Sequence, residues 1–370
     1  MNRFSAGSNF SHETASVTGV LLVQLGTPDD AAPAPVRRYL KQFLSDPRVV
    51  EIPRLAWWPI LNGIILNSRP RKSAVKYQAV WTSEGSPLLV HTKRQAVLLQ
   101  GALGQRKVDV AVAHAMRYGN PSVAAGLRDL RERNLTRLLV VPLYPQYAAS
   151  TTASVFDEVA AELSTWRNLP ELRMVRNFHD EPGYIAALAT QVRRQWDSHG
   201  RGQKLVMSFH GLPQRSLMLG DPYHCECLAT ARLLATELEL DEDQWRATFQ
   251  SRFGRAQWLQ PYTLPTLLDL AKNGTREVDV ICPGFVSDCL ETLEEISIEA
   301  RSAFLEAGGA AFNYIDCLNE SPLWIGALAD LVERHLSGWP VTRPSEETAQ
   351  RRKEALSARE ARAKARGAAT

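Results

Sequence analysis

Hydrophobic residues fall into short continuous runs that alternate with segments of helical period. Eight apolar runs have the length of strands buried on both faces. They lie at residues 19–25, 108–115, 137–143, 172–178, 205–209, 246–250, 278–282 and 312–315. Helical period is found at 36–44, 92–103, 123–133, 152–166, 184–196, 225–240, 264–272, 290–305 and 323–336. Two successive sets of four strands with intervening helices predict an α/β protein of two Rossmann-like, doubly wound parallel sheets with a cleft between them.

The length of the chain also indicates two domains, because 370 residues exceed the size at which one hydrophobic core keeps growing. We expect the halves to cover residues 17–180 and 181–338. The stretch 47–91 departs from the alternation and reads as an excursion from the first half, rich in tryptophan. Residues 339–370 have no apolar stripe, so a frayed helix or a disordered tail is expected there.

Composition narrows the class of protein. Hydrophobic residues make up 45% of the chain and charged residues 22%, which is typical of a globular protein. The formal net charge is +3, and residues 351–370 hold seven basic and two acidic side chains. The rest of the chain is therefore close to neutral, which argues against nucleic acid as a partner.

No segment reads as a secretion signal or a membrane span. The first 17 residues lack an apolar core, and the longest apolar run, 55–66, is interrupted by Pro59, Asn62 and Gly63. Five unevenly spaced cysteines argue against a disulfide framework. Together these features predict a cytoplasmic location.

Ligands of open parallel sheets bind at the carboxyl ends of the strands, so the residues there are the candidates for chemistry. In the first half these include Arg117, Tyr118 and Tyr144, followed by the polar run that starts at Ser150. A guanidinium beside phenols suits a planar, anionic ligand. Aromatic packing at a domain interface explains the same residues equally well.

In the second half, the strand at 205–209 leads directly into His210. An isolated histidine is more often structural, but imidazole at a strand end can take a proton or bind a transition metal. The strand at 278–282 leads into four carboxylates that share an arc of about 80° on an ideal helix; they are Asp288, Glu291, Glu295 and Glu299. A solvated acidic face is the alternative. Imidazole and carboxylate at one cleft would suit a divalent first-row metal.

Several motifs occur together and in order along the chain. The first half has VQLGTP at 23–28, EGSPL at 84–88, MRYG at 116–119 and YPQY at 144–147. The second half has SFHGLP at 208–213, QSRFG at 250–254, CPGF at 282–285 and ETLEE at 291–295. This ordered set, from about residue 19 to residue 336, resembles the ferrochelatases.

The resemblance implies two chelatase-like domains with a porphyrin in the cleft. It implies a lyase-class metal chelatase that inserts Fe²⁺ into protoporphyrin IX, forms protohaem and releases two protons, in the last step of haem synthesis. A chelatase for cobalt or another tetrapyrrole such as coproporphyrin, or a non-catalytic porphyrin or haem carrier, are the alternatives.

The resemblance also implies roles for individual residues. His210 and Glu291 match the catalytic and metal-binding pair, and Asp288 and Glu295 match further metal-path positions on a helix with a π-type distortion. The residues that match porphyrin-binding positions are Arg117, Tyr118, Tyr144, Ser150 and Trp258. Whether His210 acts as base, as iron ligand or as both stays open at this point.

Cofactor and partner expectations follow from the same resemblance. Iron is a substrate, and no prosthetic group is implied. Some family members carry a [2Fe–2S] cluster held by cysteines of a C-terminal extension, but the tail here has no cysteine and the matching first-half position is Ala149. We therefore expect no cluster. The expected partners are protoporphyrin IX and ferrous iron, with peripheral contact to the inner membrane or to the preceding haem-pathway enzyme.

Overall fold

The computed structural model describes residues 13–343 and 345–368, in which eight strands form two four-stranded parallel sheets. The first sheet contains β1 (Val17–Thr27), β2 (Ala111–Gly119), β3 (Leu135–Pro142) and β4 (Glu171–Met174), in the order β2-β1-β3-β4. The second contains β5 (Lys204–His210), β6 (Trp245–Gln250), β7 (Glu277–Ile281) and β8 (Ala311–Ile315), in the order β6-β5-β7-β8. The predicted fold class is confirmed. The domain boundary near residue 180 falls between β4 and β5 and stays a prediction.

Helices connect the strands and cover both faces of each sheet. The α-helices are α1 (Pro33–Leu44), α2 (Arg54–Ile60), α3 (Leu66–Val80), α4 (Pro87–Gln105), α5 (Val123–Glu132), α6 (Ser154–Leu163), α7 (Pro182–His199), α8 (Gln214–Met218), α9 (Tyr223–Glu237), α10 (Thr263–Lys272), α11 (Leu290–Thr292), α12 (Arg301–Glu306), α13 (Pro322–His335) and α14 (Glu346–Lys364). Three segments have π-helical hydrogen bonding: π1 (Leu61–Ile65), π2 (Ala149–Ala153) and π3 (Leu293–Ala300). Because π-helical turns are rare and concentrate at functional sites, these segments mark candidate walls of a site.

One hydrophobic core joins the two halves. It combines inward-facing strand residues such as Leu22 and Met207 with residues of the connecting helices such as Leu99, Leu188 and Leu328, all of them fully or almost fully buried. Burying each such side chain contributes roughly 1.5–3 kcal/mol. The shared core therefore holds the two sheets in a fixed arrangement.

The excursion folds back on the first half. Its helices α2, π1 and α3, which we call the lip (residues 54–80), pack their inner face against Val36 and Tyr39 of α1. The outer face remains in solvent, where Leu55 is 95% and Trp58 67% exposed. No helix in the described part of the chain is both long and apolar enough to cross a membrane.

Strand β2 lies further along the chain than the apolar run at 108–115 predicts. The chain has positive φ at Lys107, and Val108 pairs with Thr342 outside the sheet, so that the strand begins at Ala111. It continues to Gly119 in register with β1. Arg117 and Tyr118 are therefore inside a strand and not beyond its end, which changes what their side chains can reach.

The tail corresponds to the first of the two expected alternatives. Residues 346–364 form the helix α14, and none of its side chains is buried. The Ser345 hydroxyl accepts a hydrogen bond from the Thr348 amide, and Arg351 pairs with Glu347 one turn away. Capping and charge pairing can thus stabilise a helix that has no apolar stripe.

Candidate active site

His210 is the last residue of β5, as the sequence predicts, and its partly buried ring lies 6.5 Å from the ring of Phe285, centre to centre. Its Nδ1 is 2.7 Å from the carbonyl oxygen of Gly211. Since a carbonyl oxygen only accepts, Nδ1 carries the proton of the neutral ring and Nε2 carries the lone pair. The Tyr223 hydroxyl donates to the His210 carbonyl at 2.9 Å. The ring therefore presents Nε2 as its basic atom.

The turn after His210 is closely packed against Trp258. A Cβ atom at Gly211 would lie 2.6 Å from the Gln250 carbonyl oxygen and 3.1 Å from the Trp258 ring. Residues 211–214 also pair with the segment that carries Trp258, through Leu259 N to Leu212 O at 2.9 Å. Trp258 is thus partly buried beside the His210 turn.

Glu291 lies in the first turn of α11, which follows β7, the neighbour of β5 in the second sheet. Cys289 is the N-cap residue, and its amide donates to the Thr292 hydroxyl at 3.0 Å. A carboxylate in a first turn is favoured by the helix dipole. Burial raises the pKa of the Tyr39 and Tyr77 phenols, and the nearby Glu291 carboxylate raises both further. The Glu291 carboxylate is therefore near enough to these two protonated phenols, one from α1 and one from the lip, to influence their ionisation.

Asp288 does not join an acidic face. It precedes α11, its side chain is buried, and it accepts hydrogen bonds from Tyr314 Oη at 2.5 Å and Asn319 Nδ2 at 2.6 Å. The Thr292 hydroxyl donates to it at 3.0 Å. With its lone pairs occupied by these donors, Asp288 ties β8 and the following loop to the start of α11.

The other carboxylates also point in separate directions. Glu295 accepts from the Ser251 amide at 2.7 Å and from the Ser251 hydroxyl at 2.5 Å. Lys76 of the lip bridges Glu294 at 2.8 Å and Glu299 at 2.7 Å. Burial raises the pKa of Glu294, although Lys76 opposes the shift. Because π3 hydrogen bonds reach the fifth residue along, residues 294 and 299 share a side, and the single acidic face expected of an ideal helix does not form.

The predicted metal set is consequently not gathered in one place. Within residues 13–343 and 345–368, no three His, Cys, Asp or Glu side chains are grouped so that they could hold a metal ion. His210 at the end of β5 and Glu291 in the helix that follows the neighbouring β7 keep partly exposed side chains. Asp288 and Glu295 instead support the backbone around them.

Tyr144 and Ser150 lie at the carboxyl end of the first sheet. The Tyr144 hydroxyl is buried and has no hydrogen-bond partner among the described residues, while the residue as a whole keeps some exposure. Burial raises its pKa well above the ordinary value, so the phenol stays protonated. Ser150 is partly buried within π2, the segment that follows β3.

Arg117 and Tyr118 are held in a network behind this wall. Arg117 Nη2 and Tyr118 Oη each lie 2.7 Å from Asp46 Oδ2. The Arg117 guanidinium also donates to the Ser154 hydroxyl at 2.7 Å. Tyr118 has no exposed surface, so it cannot contact a ligand in the cleft without rearrangement.

Sequence reasoning missed four residues that shape the site: Asp46, Tyr39, Tyr77 and Gln250. Tyr39 lies on the apolar face of a predicted helix, and Gln250 begins the QSRFG motif, so both carried a detectable signal. Asp46 and Tyr77 carried none, because their partners lie on other elements.

The comparisons with known proteins agree on one family. The ferrochelatase family model matches residues 17–336. A ferrochelatase of Aromatoleum aromaticum is 62% identical over 340 residues, which cover 92% of this chain and 93% of the relative. A ferrochelatase of Azoarcus sp. is 59% identical over 364 residues, covering 97% of this chain and all of the relative.

Solved structures support the fold. SirB from Bacillus subtilis with Fe³⁺ matches with a TM-score of 0.52 at 12% identity, covering 89% of this chain and 100% of that one. The sirohydrochlorin chelatase SirB from Bacillus subtilis subspecies spizizenii in complex with cobalt matches with a TM-score of 0.50 at 11% identity and the same coverage. At such identities the likeness concerns the two-sheet fold alone.

Proposed function

The chain belongs to the ferrochelatase family, and from this premise we propose how its residues carry out metal insertion. The enzyme is a lyase-class metal chelatase that inserts Fe²⁺ into protoporphyrin IX, forming protohaem and releasing two protons. A chelatase for another metal or tetrapyrrole, or a non-catalytic carrier, is not favoured, since relatives at 56–62% identity over most of the chain are ferrochelatases.

His210 is the proton acceptor. The observation that supports this role best is the 2.7 Å contact of Nδ1 with the Gly211 carbonyl, which leaves the Nε2 lone pair for the substrate. Metal insertion exchanges two pyrrole N–H protons for one divalent ion, and a neutral imidazole takes them one at a time. A fixed tautomer spares the ring any rearrangement at the moment of transfer.

Glu291 binds the incoming iron or passes the protons onward. A carboxylate and an imidazole form the mixed oxygen and nitrogen set that first-row divalent metals accept. The phenols of Tyr39 and Tyr77 beside it stay neutral, so they add no competing charge. A single Nε2 lone pair cannot bind a proton and iron at the same time. Glu291 therefore binds the iron when His210 holds a proton, and accepts the proton when His210 binds the iron.

The porphyrin lies between the two walls. Tyr144, Ser150 and Trp258 are partly exposed and would contact the macrocycle directly. Arg117 and Tyr118, which are engaged by Asp46, would act from behind by fixing the shape of the wall. Asp288 and Glu295 have a similar supporting role around Glu291, because donors of the protein already occupy their carboxylates.

The enzyme works without a prosthetic group and without an iron–sulfur cluster. In support, four of its five cysteines are buried, and burial raises the pKa of these four thiols. Thiols of this kind are poor metal ligands until they are deprotonated.

The exposed outer face of the lip contacts the inner membrane or the preceding haem-pathway enzyme, from a cytoplasmic location. Met218 and Leu219 at the end of α8 are also exposed, and Arg215 of the same helix lies 4.0 Å from Glu51, just before the lip. The basic α14 is a weaker candidate. Its Ser357 contacts Glu13, just before β1 begins, whereas the lip lies near the other end of that strand.

The test of this proposal is metal insertion by His210→Ala and Glu291→Gln, with porphyrin binding measured separately. Loss of turnover with retained porphyrin binding is expected for both. Full turnover by either variant would exclude the role assigned to that residue.

A further inference from the structure

Gln250 contacts both sides of the proposed catalytic pair. Its backbone carbonyl accepts from the Gly211 amide at 2.8 Å, and it lies opposite His210 in the parallel pairing of β5 and β6. Its side-chain Nε2 donates to the Glu291 backbone carbonyl at 2.8 Å. We propose that Gln250 is a positioning residue that fixes the start of the acidic helix relative to His210; the inference rests on the function proposed above.

The buried side-chain amide of Gln250 has all its hydrogen-bonding capacity in use. Its Oε1 accepts from the Ser208 hydroxyl at 2.7 Å and lies 3.6 Å from the Cys282 sulfur. Its Nε2 donates to the Glu291 carbonyl and, at 3.4 Å, to the Glu295 carboxylate. An amide offers two acceptor sites and two donors, so this arrangement defines its orientation. Oxygen faces the strands and nitrogen faces the helix.

The strand side of this contact is itself held rigidly. The Ser208 hydroxyl, which donates to Gln250, accepts from the Thr263 hydroxyl at 2.8 Å, and the Thr263 hydroxyl lies 2.9 Å from the Thr248 hydroxyl. All three residues are fully or almost fully buried. A rigid chain of hydroxyls thus anchors Gln250 to β5 and β6, and only the amide extends to the helix.

The next residue strengthens the same attachment. Ser251 adopts a positive φ of 63°, which is uncommon for a residue other than glycine. In this conformation both its amide and its hydroxyl bind the Glu295 carboxylate. Gln250 and Ser251 therefore hold two successive helical turns. Gln250 binds the Glu291 carbonyl in α11, and Ser251 binds the Glu295 side chain in π3.

Losing the Gln250 amide would remove the side-chain donor of the Glu291 carbonyl and leave the buried Ser208 hydroxyl with Thr263 as its remaining partner. The first turn of the helix would then move to find other partners. Partners of this kind behind metal-binding groups typically change metal affinity or activity by about 10–100-fold when they are removed. A shift of about 1 Å in a reacting group has an effect of similar size.

Two variants test the inference. Gln250→Met keeps the length of the side chain, and Gln250→Leu fills the site with a branched apolar side chain. Neither side chain can donate a hydrogen bond to the Glu291 carbonyl. Gln100→Met is the matched control, because the Gln100 side-chain amide also binds two backbone groups, the Val110 carbonyl at 3.0 Å and the Val112 amide at 2.9 Å, but lies on α4 near the start of β2. For each we would measure zinc and ferrous-iron insertion, the KM for the metal, the Kd for protoporphyrin by fluorescence, and the melting temperature.

We expect kcat to fall about 10–100-fold and the metal KM to rise in both Gln250 variants, while the porphyrin Kd changes less than threefold. Gln100→Met should keep kcat within threefold of the parent. Folded Gln250 variants with unchanged kcat and metal KM would overturn the inference, as would unfolding of both, which would indicate a general structural role.

The four variants together distinguish an error in the positioning role of Gln250 from an error in the proposed catalytic pair. If His210→Ala and Glu291→Gln are inactive and the Gln250 variants are not, only the positioning role is excluded. If His210→Ala and Glu291→Gln keep full turnover, the catalytic pair itself is wrong.

Discussion

The position of Arg117 indicates that its side chain supports the wall of the cleft and does not contact the porphyrin. Its side chain and that of its partner Asp46 are only 11% and 5% exposed. Replacing Arg117 by methionine removes the cation and leaves the Asp46 carboxylate in the interior. Breaking a buried ion pair in this way costs about 3–5 kcal/mol.

The structure places the expected loss at the lower end of that range. The Tyr118 hydroxyl, the Ser154 hydroxyl and the Arg48 amide still donate to Asp46 after Arg117 is removed. We therefore predict that Arg117→Met lowers the free energy of unfolding by about 3 kcal/mol. Protoporphyrin affinity of the folded protein should change less than threefold, because the guanidinium faces Asp46, Ser154 and Glu158.

Urea unfolding followed by tryptophan fluorescence measures the first quantity, and porphyrin fluorescence titration the second. Arg128→Met is the matched control, since Arg128 is 65% exposed where it pairs with Glu162. An exposed pair contributes at most about 1 kcal/mol. The reasoning is refuted if Arg117→Met unfolds at the parent's urea concentration while binding porphyrin more than tenfold more weakly, which would make Arg117 a direct porphyrin contact.

Two further predictions concern the same wall and the lip. Burial raises the pKa of Asp46, but hydrogen bonds from Ser154 and Tyr118 outweigh it, so the pKa lies below its ordinary value of 3.8. The stabilisation is therefore present above that value and is lost as the pH falls below it. The stability gap between parent and Asp46→Asn, from urea unfolding, should shrink from pH 7 to pH 3.5; a constant gap would contradict this account. Sedimentation with anionic vesicles should decrease in Leu55→Ser/Trp58→Ser and not in Arg351→Gln/Arg352→Gln, and the reverse result would assign membrane contact to α14.

The strands could be predicted from the sequence because they are buried on both faces. Continuous apolar runs placed all eight of them, and the position of His210 followed from the end of one run. Strand β2 was the exception: polar His114 and Arg117 interrupt its second half, so the run appeared to end at residue 115. The apolar run therefore places Arg117 and Tyr118 beyond the strand, in the cleft, whereas they lie within β2.

Side-chain partners far apart in sequence could not be predicted. Gln250 binds a carbonyl 41 residues away, and Lys76 binds Glu299 across 223 residues. The π-helical hydrogen bonding of residues 293–300 has no local pattern in the sequence and was expected only from the family resemblance. The sequence could not distinguish the helix α14 from a disordered tail, because a helix stabilised by capping and charge pairs has the composition of a disordered segment.

The most direct test of the central claim is single-turnover metal insertion by His210→Ala with protoporphyrin already bound. If Nε2 accepts the pyrrole protons, the rate of insertion should fall at least about 100-fold, the smaller effect expected of a general base. The porphyrin Kd should stay within threefold of the parent's. Insertion at the parent's rate by the porphyrin-loaded variant would contradict the account and move the proton acceptor elsewhere in the cleft.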